Sequence, residues 1–63
     1  MTQKELLYVE DAYKHEDNII KICNETMNML ESDDLVSFFE KEVKKHTDMK
    51  EKLISLMEEC SNE

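Results

Sequence analysis

A chain without a single glycine or proline lacks the residues that tight β-turns depend on. Primed hairpin turns need backbone angles that glycine adopts without steric cost, and proline presets the others. An all-β fold is therefore a poor expectation. Leu, Met, Glu and Lys, which lose little rotamer freedom in a helix, are abundant instead. The expected class is all-α. With 63 residues there is room for one domain, near the lower limit at which a chain buries enough apolar surface to stay folded.

Two helical stripes are legible. Thr2-Gln3-Lys4-Glu5 has the form of a capping box, in which the Thr hydroxyl accepts from the Glu backbone and the Glu carboxylate reaches back. Leu6, Val9, Tyr13, Ile20, Cys23, Met27 and Leu30 follow at three- and four-residue spacing, and Ala12, Ile19, Ile22 and Met29 widen the stripe. At Glu31-Ser32-Asp33-Asp34 a second helix start appears. Ser32 or Asp33 suits an N-cap, and acidic residues suit the positive end of the helix dipole. Leu35, Phe39, Met49, Leu53, Leu56 and Cys60 form the second stripe, flanked by Val36, Phe38, Val43, Ile54 and Met57.

The expected organisation is a single helical-hairpin domain over residues 1–63, with a helix over about 3–30, a turn at about 31–33 and a helix over about 33–60. So short a break favours an antiparallel return over one continuous rod. Two helices share only one seam, which leaves wide apolar faces half covered. Dimerisation into a four-helix, ferritin-like bundle is the simplest remedy.

Sixteen Asp and Glu against eight basic residues, all lysine, give a net charge of −8. Phosphate backbones and anionic lipid heads repel such a chain, so neither nucleic acid nor a membrane surface is expected as a partner. No apolar run approaches the ~18 residues of a membrane span. The first ten residues lack a basic stretch followed by an apolar one, so no secretory signal is expected and the protein reads as cytoplasmic. Folding about residues 32–33 sets Cys23 beside Glu42 and Cys60 beside Glu5. The thiols then lie ~27 Å apart along the axis, which excludes an intrachain disulfide. Reduced thiols are expected, with a bridge between two chains as the alternative.

The residues that interrupt the seams carry the functional signal. The first-helix seam (6, 9, 13, 16, 20, 23, 27, 30) contains Glu16, and the second (35, 39, 42, 46, 49, 53, 56, 60) contains Glu42 and His46. The hairpin sets Glu16 about one turn from His46, with Glu42 four residues before His46 on the same face. Carboxylates and imidazole in a bundle centre are costly unless they pair or bind metal. A structural pair that fixes register is the plain reading. The sharper one starts from a two-fold axis near mid-helix, which yields four carboxylates and two imidazoles, the ligand set of di-iron and di-manganese carboxylate bundles. Glu16, Glu42 and His46 are thus the candidate metal ligands, and iron or manganese is the alternative to having no cofactor.

Other residues read as structural. His15 lies one turn after Asp11 as a solvated pair, and Lys41, Lys44, Lys45, Lys50 and Lys52 complement the more acidic first helix. Tyr8 reads as a rim aromatic and Tyr13 as a seam residue. Five methionines suit an adaptable core, or a groove for a partner helix. With no catalytic triad, phosphate loop or clustered Cys site in view, no catalytic residue is expected.

The stretch Glu5 to Glu16, with Leu6-Leu7, Glu10-Asp11-Ala12 and His15-Glu16, resembles the opening helix of small ferritin-like spore coat proteins, the coat F family of endospore-forming bacteria. Ser32-Asp33-Asp34-Leu35 and the helix from Phe39 to His46 are similar too, so the resemblance spans most of the chain. It implies a ferritin-like hairpin with a structural or assembly role in a spore-associated setting. Glu16 corresponds to the family's first-helix Glu. The ferritin-like Glu-x-x-His motif places its Glu at position 43, where this chain has Val43, with Glu42 one residue earlier.

The leading expectation is a non-enzymatic structural protein that forms a homodimer and docks with protein partners in a spore-associated assembly. A di-metal oxidase or peroxide scavenger is the alternative from another class. An adaptor that receives a foreign helix is the third.

Overall fold

Both helices begin where the sequence supplies a side-chain cap. The structure, a computed structural model, describes residues 1–61, with side chains as far as Glu59. It comprises α1 over Gln3–Met27 and α2 over Asp33–Ser61, packed as a hairpin. Ahead of α1, Thr2 is extended; the Glu5 N–H donates to its hydroxyl at 3.0 Å, and the Thr2 N–H donates to the Glu5 carboxylate at 2.8 Å. The capping box is complete.

Those bonds, the one from the Thr2 backbone first, hold the Glu5 carboxyl below its ordinary range. A carboxyl with a depressed folded pKa adds stability above its unfolded value and loses it as pH falls through the folded one. Acidification below about pH 4 is therefore expected to fray the first turn of α1 ahead of the rest. Amide exchange at Glu5 and Leu6 reads this directly, and Glu5→Gln should flatten the response.

The first helix stops at Met27, short of the expected residue 30, and the join runs over residues 28–32 instead of 31–33. Asn24, Thr26 and Asn28 explain the early end. Each is a weak helix former, and the Thr26 hydroxyl donates back to the Ile22 carbonyl at 2.8 Å. The Met29 and Leu30 N–H groups then donate to the Thr26 and Met27 carbonyls at 3.0 and 3.3 Å, a tighter 3₁₀-type ending. No described residue has a positive φ, so the chain reverses without the left-handed conformation that glycine usually provides. Ser32 caps α2: its carbonyl accepts from Val36 at 3.0 Å and its hydroxyl accepts from Leu35 at 3.4 Å. Asp33 and Asp34 fill the first turn, where the helix dipole favours them.

Along α1 the covered positions include the expected Leu6, Val9, Tyr13, Glu16, Ile20, Cys23, Met27 and Leu30. Along α2 the expected seam is corrected. Val36, Phe39, Val43, His46, Lys50, Leu53 and Met57 turn toward α1, while Leu35, Met49 and Leu56 are exposed. After His46 the seam steps by four to Lys50 instead of by three to Met49. Lys50 fills that place because its stem lies over the Tyr13 ring, with Nζ 5.3 Å from the centroid, and its ammonium donates to Asp17 at 2.6 Å. The hydrogen bond to Asp17, foremost among its surroundings, raises the Lys50 pKa.

Two helices alone cover little. Among the described residues only Cys23 is buried, at 7% exposure, and its thiol is free, as expected; the expectation for Cys60 lies outside the described side chains. The hairpin measures 48 × 15 × 10 Å with a radius of gyration of 14.6 Å, where a compact chain of this length has about 10.6 Å. Its accessible surface is 5161 Å², against about 4,200 Å² for a compact monomer of its mass. The excess, roughly 900 Å², is close to the ~800 Å² that each partner contributes to a standard interface.

Candidate functional site

The uncovered apolar side chains are not spread evenly around the hairpin. Counted at ~100° per residue, Tyr8, Ala12, Ile19 and Ile22 lie roughly 60–140° to one side of the α1 seam, and Leu35, Phe38, Met49 and Leu56 lie roughly 50–110° to one side of the α2 seam; Met29 follows in the join. In an antiparallel pair those two offsets fall on the same broad face. Met29 is 75% exposed and Phe38 55%. Phe38 is held edge-on against the half-buried Phe39, ring centroids 5.4 Å apart at 86°, so this exposed ring is braced from within the hairpin. Asp17 lies on the opposite side of the seam, where Lys50 reaches it past Tyr13, and Leu7 points away on the back of α1.

Midway along the apolar face, the three side chains singled out from the sequence come together. His46 Nδ1 hydrogen-bonds Glu16 of the other helix, and His46 Nε2 lies 3.6 Å from the Glu42 carboxylate one turn back on its own helix. All three are part-covered. Glu16 and His46 sit at the edge of the seam and Glu42 further out on the apolar face, so the cluster opens toward that face. The contact between His46 and Glu16 ties α2 to α1 at one register. Nδ1 is engaged by Glu16, while Nε2 at 3.6 Å is too far from Glu42 for a hydrogen bond. Among the described residues no group of three or more His, Cys, Asp and Glu is arranged to hold a metal ion.

No family model, curated protein or solved structure matches this chain. The spore-coat resemblance thus rests on its short helical patterns alone.

The remaining candidates stay at the surface. His15 is exposed, as are Tyr8, Lys41, Lys44, Lys45 and Lys52; Lys50 alone of the basic patch turns inward. The Lys50–Asp17–Tyr13 clasp is the functional geometry that sequence reading missed. Its signal was present in the alternative four-residue step from His46, which an apolar count passes over because Met49 looks the better seam residue. Among the described residues no helix is long and apolar enough to cross a membrane.

Proposed function

We propose that this protein is a non-enzymatic helical building block that acts by self-association, pairing two hairpins through the apolar face into a four-helix bundle. A spore-associated assembly is the setting that its sequence resemblance suggests. The observation that carries the proposal is that exposed apolar side chains from both helices, Tyr8 and Ile22 on α1 with Leu35, Phe38, Met49 and Leu56 on α2, share one face. Covering such a face with a second copy removes the apolar surface from water and closes the polar cluster inside the bundle.

Size-exclusion chromatography with light scattering is expected to give twice the 7.5 kDa chain mass at micromolar concentration. A monomer at every concentration overturns the proposal and favours an adaptor whose groove takes a foreign helix. Elemental analysis of the same preparation tests a second reading, a shared iron or manganese site that the paired cluster favours by bringing two imidazoles and four carboxylates together. A metal-free dimer discards it; retained metal that Glu16→Ala with His46→Ala removes supports it.

A further inference from the structure

Sulfur is divided between the covered seam of the hairpin and its open surface. Among the described side chains the Cys23 thiol is buried and Met27 and Met57 are half-buried, whereas Met1, Met29 and Met49 are exposed, at 47%, 75% and 46%. Met1 precedes α1 and Met29 lies in the join, so of these three Met49 is the one that a helix presents on the apolar face. The step from His46 to Lys50 puts it there. Because Lys50 takes the seam position through Asp17 and Tyr13, the neighbouring thioether is turned outward, on the same side of α2 as Leu56.

A thioether is apolar and deformable, which suits an association surface, and it becomes polar in a single step. The sulfur lone pair attacks one oxygen of a peroxide, the O–O bond breaks, an S–O bond forms, and the second oxygen leaves as water or an alcohol. Sulfur is oxidised, the peroxide is reduced, and no other reactant is needed. Burying the resulting sulfoxide in an apolar contact is costly. Resting on the self-association reading above, we propose that Met49 is an oxidation site through which peroxide dissolves the pairing of hairpins. Pairing covers Met49, so peroxide acts on the dissociated chain, and mass action draws the remaining pairs apart. Reduction of the sulfoxide restores the thioether and with it the face.

Hydrogen peroxide is the probe, and every chain tested carries Cys60→Ser so that no disulfide forms there between copies. Peptide mass mapping gives the sulfoxide at each methionine, sedimentation equilibrium the association, and circular dichroism the helicity. Oxidation is expected to weaken association about 10–100-fold with helicity retained, because each copy loses the apolar burial of one Met side chain. Met49→Leu, a volume-conserving change at an exposed helix position, should associate equally before and after peroxide. Met27→Leu with Met29→Leu and Met57→Leu keeps the seam out of reach of the oxidant, and this chain should still lose association. Undiminished association with Met49 fully converted to sulfoxide overturns the proposal while leaving the dimer intact, as does an equal loss in Met49→Leu. A monomer at every concentration before peroxide is added removes the self-association reading, and the switch falls with it.

Discussion

If the hairpin pairs as proposed, replacing Phe38 and Met49 together by Glu is expected to turn that dimer into a monomer, weakening association by more than about 1,000-fold. Each side chain, fully covered, is worth about 1.5–3 kcal/mol of apolar burial, and the two-fold axis counts each substitution twice. Every 1.4 kcal/mol is tenfold in affinity, so even partial burial at four positions exceeds three decades. Phe38 matters most, because Phe39 already holds its ring edge-on and little ordering remains to be done on association. Sedimentation equilibrium reads the change, and Leu7→Glu is the control. Leu7 is as exposed as Phe38, at 58%, but points away from the face, so its substitution should leave association unchanged. Equal losses from both variants would show that general hydrophobicity, and not this face, drives assembly. Salt supplies an independent check. Chains of −8 each repel, and added NaCl screens that repulsion, so wild-type association should strengthen between low and physiological ionic strength.

Cys23→Asp is expected to abolish the fold. Cys23 is the most covered of the described side chains, 7% exposed, and an unpaired carboxylate there costs several kcal/mol. A chain of this length has about 3–9 kcal/mol to lose. Helical circular dichroism at 222 nm should collapse in the absence of denaturant, whereas Cys23→Ala should shift the urea midpoint only modestly. A Cys23→Asp variant with wild-type helicity and midpoint would place the thiol outside the core and undo the register described above.

The fold was legible because its signals are local. Thr2 with Glu5 spells a capping box, Ser32 followed by two aspartates spells a second start, and the apolar periodicity admits only helix. The α1 seam was likewise legible, since its residues are consistently apolar apart from Glu16. The α2 seam was not. Steps of three and four are interchangeable along a helix until a partner selects one, and α1 selects Lys50 over Met49 through Tyr13 and Asp17, contacts across the hairpin that no local pattern encodes. The end of α1 escaped for a similar reason: Leu30 continues the stripe, but the weak helix formers Asn24, Thr26 and Asn28 precede it, and the Thr26 hydroxyl bonds back to the Ile22 carbonyl. The polar cluster was located by its violation of the stripe, because Glu16, Glu42 and His46 are conspicuous among apolar neighbours. Its internal arrangement, with Nδ1 on Glu16 across the hairpin and Nε2 3.6 Å from Glu42, depends on side-chain rotamers that spacing alone leaves open.

The reversal between the helices has a consequence of its own. Since no described backbone angle there is left-handed, the bend does not call for glycine, and a glycine inserted there relieves no strain while enlarging the freedom of the unfolded chain. Proline is disfavoured there, because the Asn28, Met29 and Leu30 N–H groups all donate, and Leu30 is held by its place in the covered seam. What specifies the corner is the Ser32 cap and the covered seams on either side, so the elbow is set by its limbs and not by the elbow itself.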